Sequence, residues 1–430
     1  MLKDLFHRIK YRLLQDAPVG SSLAKLETSW DPRISWEKLR RKRWTWSDWP
    51  YVLMVLSLTI CLSILQTVPA FVRVIVAFVL FALVSIPITS QFFLPGMPII
   101  TWLVLFASPT SLPLSLRPKI YVRLLPALET ILYGGNLSYS LAQMTHPVLD
   151  ILAWLPYGVL HFALPFILAA SLFVFGPPGT LPQFGFCFGW MNYFGVIMEL
   201  MFPNAPPWYK NIYGLQPANY TIHGSAGGLE RIDKILGFQL YGGTFGASGM
   251  VFGAFPSMHS GSACMLALFA SHLCPRFTPL FFSYVLWIWW STMYLTHHYF
   301  IDLTGGACFA YITFFLIRRS VLPRIQRDKI SRWSYDYVER GIQTQSKFRK
   351  SMEYDREYIE MADEFGAQGP EHRLEDESDD ADDGILPASD ADIESIESGV
   401  PSTPILETPS SRMGSPMISR IGSPAPNKQA

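Results

Sequence analysis

The polar residues best suited to chemistry fall in two short segments of an otherwise apolar stretch. The first segment contains Ser257 and His259, and the second contains His298 and Asp302. His298 and Asp302 are four residues apart, so a helix places them on one face. A carboxylate in that position accepts a hydrogen bond from one ring nitrogen and leaves the other nitrogen free to attack. The second segment therefore predicts a histidine nucleophile that an aspartate orients.

The first segment has the pattern of a helix start. Pro256 precedes the apolar run and Ser257 is suited to be the N-cap, which leaves free backbone N–H groups near Met258. Such a helix start is an anion site suited to a phosphate group. His259 follows at the edge of this site, where it can pass a proton. We expect the Ser257 hydroxyl to bind the phosphate.

The elements that must position these residues are membrane helices. The chain has 430 residues with 34 basic and 34 acidic side chains, but residues 49–320 hold only 16 of these charges. An ordinary soluble domain is about 25% charged throughout, so one large soluble globule is excluded. The pattern predicts an all-α polytopic membrane protein.

Eight apolar segments are close in length to the ~20 residues that cross a bilayer. They are residues 49–68, 70–90, 92–107, 149–175, 181–202, 258–275, 278–297 and 299–319. The segment 92–107 is the weakest, because it is short and contains Pro95 and Gly96, and a re-entrant segment is the alternative. We therefore predict a helical bundle of six to eight spans.

Basic residues flank the predicted bundle at both ends. Residues 1–48 carry eleven Lys/Arg, and five more follow within 318–329. The positive-inside rule then places both termini in the cytosol. With an even number of spans, the long connections at about 108–148 and 203–257 lie on the lumenal face. The same parity brings the two histidine-containing segments together at that face.

The chain divides into three regions by composition: a cytosolic basic region 1–48, a transmembrane catalytic domain 49–320 and a cytosolic tail 321–430. The tail has 18 Asp/Glu within 353–397 and is rich in Ser, Thr and Pro within 400–426, so we expect it to be largely disordered. Tryptophans that follow the basic region lead directly into an apolar span, which argues against a nucleic-acid partner. The five cysteines lack metal-type spacing and are expected to be buried thiols.

Each histidine-containing segment also has a simpler structural explanation. A lone histidine at a membrane edge is usually an interface anchor, and Asp302 on its own suits a helix cap. Polar residues at membrane depth are costly, however, and the two segments fall on one predicted face, which favours a shared catalytic site. His259, His298 and Asp302 lack a close-spaced ligand pair, so we expect no metal and no cofactor.

The motifs resemble those of the type-2 phosphatidic acid phosphatase superfamily. Pro256-Ser257-Met258-His259, followed by Ser291 and then His298 and Asp302, is similar to that family's PSGH and SRx5HxxxD motifs. The sequence departs from the pattern in two places. Met258 replaces the usual glycine, and Thr292 stands where the family has a phosphate-binding arginine. The resemblance implies a phosphatidic acid phosphatase-like core.

Longer stretches within about 45–335 resemble the fungal inositol phosphorylceramide synthases. These stretches are residues 202–209, 253–262, 294–303 and 157–162. The resemblance implies transfer of phosphoinositol from phosphatidylinositol to the C1 hydroxyl of (phyto)ceramide, with diacylglycerol as the other product. It also implies a Golgi membrane enzyme of sphingolipid biosynthesis, the target of the antifungal aureobasidin, with a small membrane regulatory subunit.

This reaction implies roles for the catalytic residues and needs positive groups near the phosphate. We expect a phosphohistidine intermediate on His298, with Asp302 orienting it and His259 acting as acid and then base. The alternative is a lipid phosphate phosphatase that uses the same site with water as the acceptor.

With no arginine at position 292, the candidate cations are the lumenal Lys210, Arg231 and Lys234. For Arg231 and Lys234 the alternative is a solvated helix face that pairs with Glu230 and Asp233. His161 and Phe162 lie mid-span and, by the resemblance, line the lipid cavity.

Overall fold

The computed structural model describes residues 26–237 and 239–340. This part of the chain is helical, with short turns and three isolated β-bridges. The predicted disorder of the tail beyond residue 340, and the first 25 residues of the basic region, lie outside the described residues.

The helices follow the apolar pattern of the sequence closely. They are α1 (Pro32–Arg41), α2 (Trp49–Ile64), α3 (Ala70–Ser85), α4 (Pro87–Ala107), α5 (Leu124–Tyr133), α6 (Leu137–Ala142), α7 (Pro147–Trp154), α8 (His161–Phe175), α9 (Thr180–Met201), α10 (Pro207–Tyr213), α11 (Leu229–Leu236), α12 (Tyr241–Gly246), α13 (Met258–Leu273), α14 (Thr278–Tyr294) and α15 (Phe300–Ser320). A π-helical turn, Leu155–Leu160, joins α7 to α8.

Three helical stretches of the described chain are long and apolar enough to cross a membrane by length and composition. They are Pro87–Ser111, Pro147–Phe175 and Phe300–Arg319. The first contains the segment that we considered re-entrant, and it is one continuous helix although Pro95 and Pro98 lie inside it. Other predicted spans correspond to α2, α3, α9, α13 and α14, so the count of six to eight spans stays a prediction.

Helix α13 is the centre of the bundle. It packs against α14 and α15, and every residue from Ser260 to Phe269 is buried. A helix that is buried on all sides needs small side chains where its neighbours come close. Gly261 meets this need, because a Cβ there would lie 3.2 Å from the Gly306 carbonyl oxygen of α15. The first turn of α13, which carries His259, is thereby held firmly in the core.

The two long connections meet on one side of the bundle, as their predicted common face requires. The Tyr121 N–H donates to the Pro203 carbonyl at 2.8 Å, and the Asn204 N–H donates to the Phe252 carbonyl at 2.7 Å. A small apolar cluster that includes Trp208 packs beneath these extended segments. The connections therefore form one cap over the starts of α13 and α15.

A buried carboxylate, Glu129 of α5, ties this cap to the bundle. Its Oε1 accepts hydrogen bonds from the backbone N–H groups of Leu137 at 3.2 Å and Phe300 at 3.4 Å. Its side chain is fully buried. Burial raises the pKa of the Glu129 carboxyl to about 7, although the two N–H donors act in the opposite direction.

This raised pKa predicts a pH-dependent stability. The folded state favours the protonated carboxyl, so the contribution of Glu129 is complete below its ordinary pKa of 4.5 and is lost as the pH rises through about 7. Between pH 5 and pH 8, the melting temperature of wild type should fall by a few degrees relative to that of Glu129→Gln. Thermal unfolding of both purified proteins across this range measures the difference, and parallel pH profiles would contradict the assignment.

Candidate active site

The two histidine-containing segments are joined at the starts of α13 and α15. The Ser257 N–H donates to the Asp302 carbonyl oxygen at 3.0 Å, and the Ser260 hydroxyl donates to the Leu303 carbonyl at 2.6 Å. Gly306 packs directly on the Ser257 carbonyl and leaves no room for a side chain. Residues that are about 40 positions apart in the sequence thus share one rigid corner of the fold.

Within this corner Asp302, His298 and His259 form a line. Asp302 Oδ1 lies 3.2 Å from His298 Nδ1, and His298 Nε2 lies 3.1 Å from His259 Nδ1. Asp302 is fully buried and His298 is 5% exposed. A carboxylate beside Nδ1 favours the tautomer that carries its proton there, which leaves Nε2 as the free acceptor. The structure therefore brings together the three residues that the sequence predicts to be catalytic.

Asp302 also has the structural role that we considered as its alternative. Its Oδ2 accepts a hydrogen bond from the Tyr299 N–H at 3.0 Å, in the first turn of α15. Each carboxylate oxygen thus has a separate task, one toward the helix start and one toward His298. The helix start fixes the direction in which Oδ1 approaches the imidazole.

The loop that presents His298 is held by backbone contacts. The Thr292 carbonyl accepts hydrogen bonds from the N–H groups of His297 at 2.9 Å and His298 at 3.3 Å. Thr296 has a φ of 65°, in the left-handed region that a β-branched residue rarely adopts. Its carbonyl accepts a hydrogen bond from the Trp208 N–H at 2.9 Å, which ties the loop to the second long connection.

Aromatic rings pack around the histidines. Tyr157 stacks on His259 with ring centroids 4.5 Å apart and on His297 with centroids 5.3 Å apart. His161 lies 4.7 Å from His259 between centroids, so it contacts the predicted catalytic pair. Phe162 packs on His161 but is 65% exposed on the outer surface of α8. Of the two mid-span candidates, His161 faces the site and Phe162 faces outward.

A cavity of about 160 Å³ opens beside the histidines. His259, His297 and His298 line it, together with Met258, and Glu199 of α9 faces them. Among the described residues no lysine or arginine side chain lines this cavity. It is a small, largely neutral chamber at the end of the helix bundle.

None of the three predicted cations is part of the wall of this cavity. Lys210 is half-buried on α10 and lies close enough to Glu129 to act on its charge. Arg231 forms an ion pair with Asp150 at 2.7 Å and lies over the Tyr294 ring. Lys234 is exposed. The alternative for Arg231 was an ion pair with an acidic residue of its own helix, Glu230 or Asp233. That alternative is wrong, because the partner of Arg231 is Asp150 of α7.

Asp233 of α11 does not have the role that this alternative gave it. Asp233 accepts hydrogen bonds from the backbone N–H groups of Leu240, Tyr241 and Gly242. Burial opposes ionisation, but these three donors hold the pKa of the Asp233 carboxyl below its usual value. Asp233 therefore caps the following turn and does not neutralise Lys234.

Ser257 is the N-cap of α13, as predicted, with its hydroxyl accepting from the Ser260 N–H at 3.3 Å. Its side chain is fully buried and is not part of the cavity wall. The expectation that its hydroxyl reaches the phosphate therefore has no geometric support. The N–H groups of Met258 and His259 stand at the helix start beside the cavity, where they suit an anion.

Met258, which replaces the usual glycine, fills space that another glycine provides. Its side chain packs on Gly195 of α9, where a Cβ would collide with the Met258 methyl group. Thr292, at the position of the usual arginine, is fully buried and its hydroxyl donates to the Trp289 carbonyl at 3.0 Å. Position 292 therefore supplies no cation to the cavity.

The sequence analysis did not predict Glu199 or Tyr157 as cavity residues. Glu199 is the only charged residue in α9, and a carboxylate at membrane depth is a functional candidate for that reason alone. Tyr157 gave no comparable signal, because a tyrosine within an apolar span is also a common packing residue. Its place between two histidines depends on contacts between α13, α14 and the π-helical turn.

The structure describes a helical membrane protein in which two histidines and an aspartate lie in line at one end of the bundle. Residues 127–316 match the PAP2 superfamily, and this range contains His259, His298 and Asp302. No solved structure matches the chain.

Similar proteins identify the family within this class. The chain is 47% identical over 332 residues to the inositol phosphorylceramide synthase catalytic subunit of Schizosaccharomyces pombe, covering 77% of this chain and 79% of the relative. It is 49% identical over 327 residues to the inositol phosphorylceramide synthase catalytic subunit of Saccharomyces cerevisiae, covering 76% and 82%. A Bacteroides thetaiotaomicron phosphoinositol dihydroceramide synthase is 31% identical over 160 residues, covering 36% and 50%. The chain belongs to the inositol phosphorylceramide synthase family.

The ion pair of Arg231 predicts a stability effect. Arg231→Gln leaves the buried Asp150 carboxylate without its cation, which should lower the free energy of unfolding by ~1–3 kcal/mol. This is less than the ~3–5 kcal/mol of a fully buried pair, because the Arg231 side chain is 31% exposed. Thermal unfolding of the purified protein measures the loss.

Lys234→Gln is the matched control for this variant. It removes an exposed charge from the same helix and should change stability little. If Arg231→Gln unfolds like wild type but loses more than a hundredfold in kcat/KM, Arg231 binds the phosphate and the structural role is wrong.

Proposed function

We propose that this protein transfers phosphoinositol from phosphatidylinositol to the C1 hydroxyl of (phyto)ceramide and releases diacylglycerol. The line formed by Asp302, His298 and His259 carries the proposal, because it presents one free imidazole nitrogen and one proton donor at the same point. The names of the similar proteins supply the product, inositol phosphorylceramide. The membrane helices around the site suit lipids as both donor and acceptor.

In the first half of the reaction, His298 Nε2 attacks the phosphorus of phosphatidylinositol. Asp302 keeps the His298 proton on Nδ1 and stabilises the positive charge that develops on the ring. His298 Nε2 lies 3.1 Å from His259 Nδ1. To act as the acid, His259 starts as the imidazolium, with a proton on each ring nitrogen, so that loss of the Nδ1 proton leaves a neutral ring. His259 gives that proton to the departing diacylglycerol oxygen, and phosphoinositol remains bonded to His298.

In the second half, ceramide takes the place that diacylglycerol has left. His259, now without the Nδ1 proton, removes the proton of the C1 hydroxyl, and the oxygen displaces His298 from phosphorus. Each such proton transfer is typically worth ~10²–10⁴-fold in rate. The two half-reactions use the same atoms in reverse order, so one cavity serves two lipids in turn.

The charge of the cavity favours transfer between diesters over hydrolysis of a monoester. A phosphodiester carries one negative charge, which the backbone N–H groups at the start of α13 and the imidazoles can meet. A phosphomonoester carries more charge and calls for cations in the wall. Because no lysine or arginine of the described chain lines the cavity, the phosphatase alternative is the weaker of the two.

We place the protein in the Golgi membrane, with the site on the lumenal face and both termini in the cytosol. The basic residues after α15 support this orientation, because they lie at the end of the bundle opposite to the site. We further propose a small membrane regulatory subunit as partner and sensitivity to aureobasidin. Protease protection of tagged termini in sealed microsomes tests the orientation.

The roles of the nucleophile and its orienting carboxylate can be tested directly. His298→Ala and Asp302→Asn should each reduce phosphoinositol transfer at least a thousandfold, because neither half-reaction proceeds without the activated imidazole. The measurement is conversion of labelled ceramide by purified protein in vesicles. Phe162→Leu, on the outer surface of α8, is the control for membrane insertion and protein level. Near-normal transfer by His298→Ala would contradict the assignment of His298 as the nucleophile.

The acceptor separates transfer from hydrolysis. Purified wild type supplied with phosphatidylinositol labelled in the inositol ring should yield labelled inositol phosphorylceramide when ceramide is present. Without ceramide it should release little free inositol phosphate. Equal release of free inositol phosphate with and without ceramide would favour the phosphatase.

A further inference from the structure

One buried carboxylate of the cavity has no part in the proton transfers. Glu199 is 4% exposed and lines the cavity beside the histidines. It also lines an adjoining cavity of about 280 Å³, whose wall includes Arg117. Met250, Val251 and Gly253 are shared by both walls. Glu199 therefore stands where the reaction cavity opens into a second space.

The Glu199 carboxylate lacks partners of its own. Among the described residues no hydrogen bond or ion pair engages it. Arg117, in the wall of the second cavity, donates to the backbone carbonyls of Pro109 and Leu112. A carboxylate buried in this way is costly unless something donates to it. A Cβ at Gly253 would lie only 3.1 Å from Glu199 Oε2, so the glycine keeps the carboxylate open to the cavity.

Two hydroxyl groups share the cavity wall with Glu199. Ser225 accepts a hydrogen bond from the Gly227 N–H at 3.1 Å, and Ser248 accepts one from the Met250 N–H at 3.3 Å. Their oxygens are thus engaged as acceptors, and their hydroxyl protons remain free to donate. One carboxyl group with two hydroxyl donors matches a ligand that carries several hydroxyl groups.

We propose that Glu199, with Ser225 and Ser248, forms a polyol subsite that binds the ring hydroxyls of the donor headgroup. The inference rests on the proposed function, since that headgroup must lie beside the phosphate at the histidines. Glu199 accepts hydrogen bonds from ring hydroxyls and so selects the donor lipid. It takes no proton from either substrate during transfer.

Steady-state kinetics of Glu199→Gln tests this role. The loss of one carboxyl oxygen as a hydrogen-bond partner should raise the KM for phosphatidylinositol roughly 5- to 150-fold. The KM for ceramide and the kcat at saturating donor should stay within a few-fold of wild type. A raised ceramide KM would assign Glu199 to the acceptor, and a fall in kcat alone would assign it to proton transfer; either result overturns the subsite. Glu129→Gln, a buried carboxylate outside the cavity wall, should leave the KM for phosphatidylinositol unchanged.

Direct binding keeps the subsite separate from the transfer reaction. Calorimetric titration of the purified full-length protein with inositol 1-phosphate should show weaker binding to Glu199→Gln, and titration with glycerol 3-phosphate should show no change. This pattern in a protein that makes no inositol phosphorylceramide would support the subsite and reject the proposed function. If Glu199→Gln fails to fold, Gly253→Ala is the second variant. Its added methyl group crowds the Glu199 carboxyl group and should weaken the binding of inositol 1-phosphate. The proposal is overturned if the variant binds both phosphates equally more weakly than wild type, or if it binds both as tightly as wild type.

Discussion

The fully buried carboxylate of Asp302 is the interaction on which the rest of the site depends. One of its oxygens approaches His298, the other caps the start of α15, and its backbone carbonyl receives the N–H of Ser257 from α13. Burial of a carboxylate is costly, and the two contacts of its side-chain oxygens offset that cost here. Together with the contact to Ser257, they bring two helix starts to one point. The contacts of Asp302 that hold the two helix starts together therefore also orient His298.

Much of this corner could be predicted from the sequence, because its residues follow local rules. The four-residue spacing of His298 and Asp302 fixes a shared helix face, and Ser257 after a proline predicts an N-cap. The charge distribution predicts the membrane helices and their approximate limits. The even number of apolar segments predicts that both motifs emerge on one face, and the pairing of the two long connections agrees with it.

The partners of the charged residues could not be predicted, because they depend on contacts between distant elements. Arg231 finds Asp150, 81 residues away, and not the acidic neighbours on its own helix. Ser257 was expected at the phosphate, yet its side chain is fully buried and is not part of the cavity wall. Spacing along the chain gives the face of a helix. It does not give the depth of a side chain in a bundle.

The contact between Met258 and Gly195 has a consequence for how such sites diversify. The methionine occupies a position that is usually glycine in the wider superfamily, and it does so in a space that a second glycine, on another helix, leaves empty. The two positions are thus sterically coupled. A lineage that acquires the long side chain must first possess, or acquire with it, the glycine on α9. A lineage that keeps glycine in the motif is free to place a larger residue there. The order of these two changes is constrained by volume, independently of the reaction catalysed.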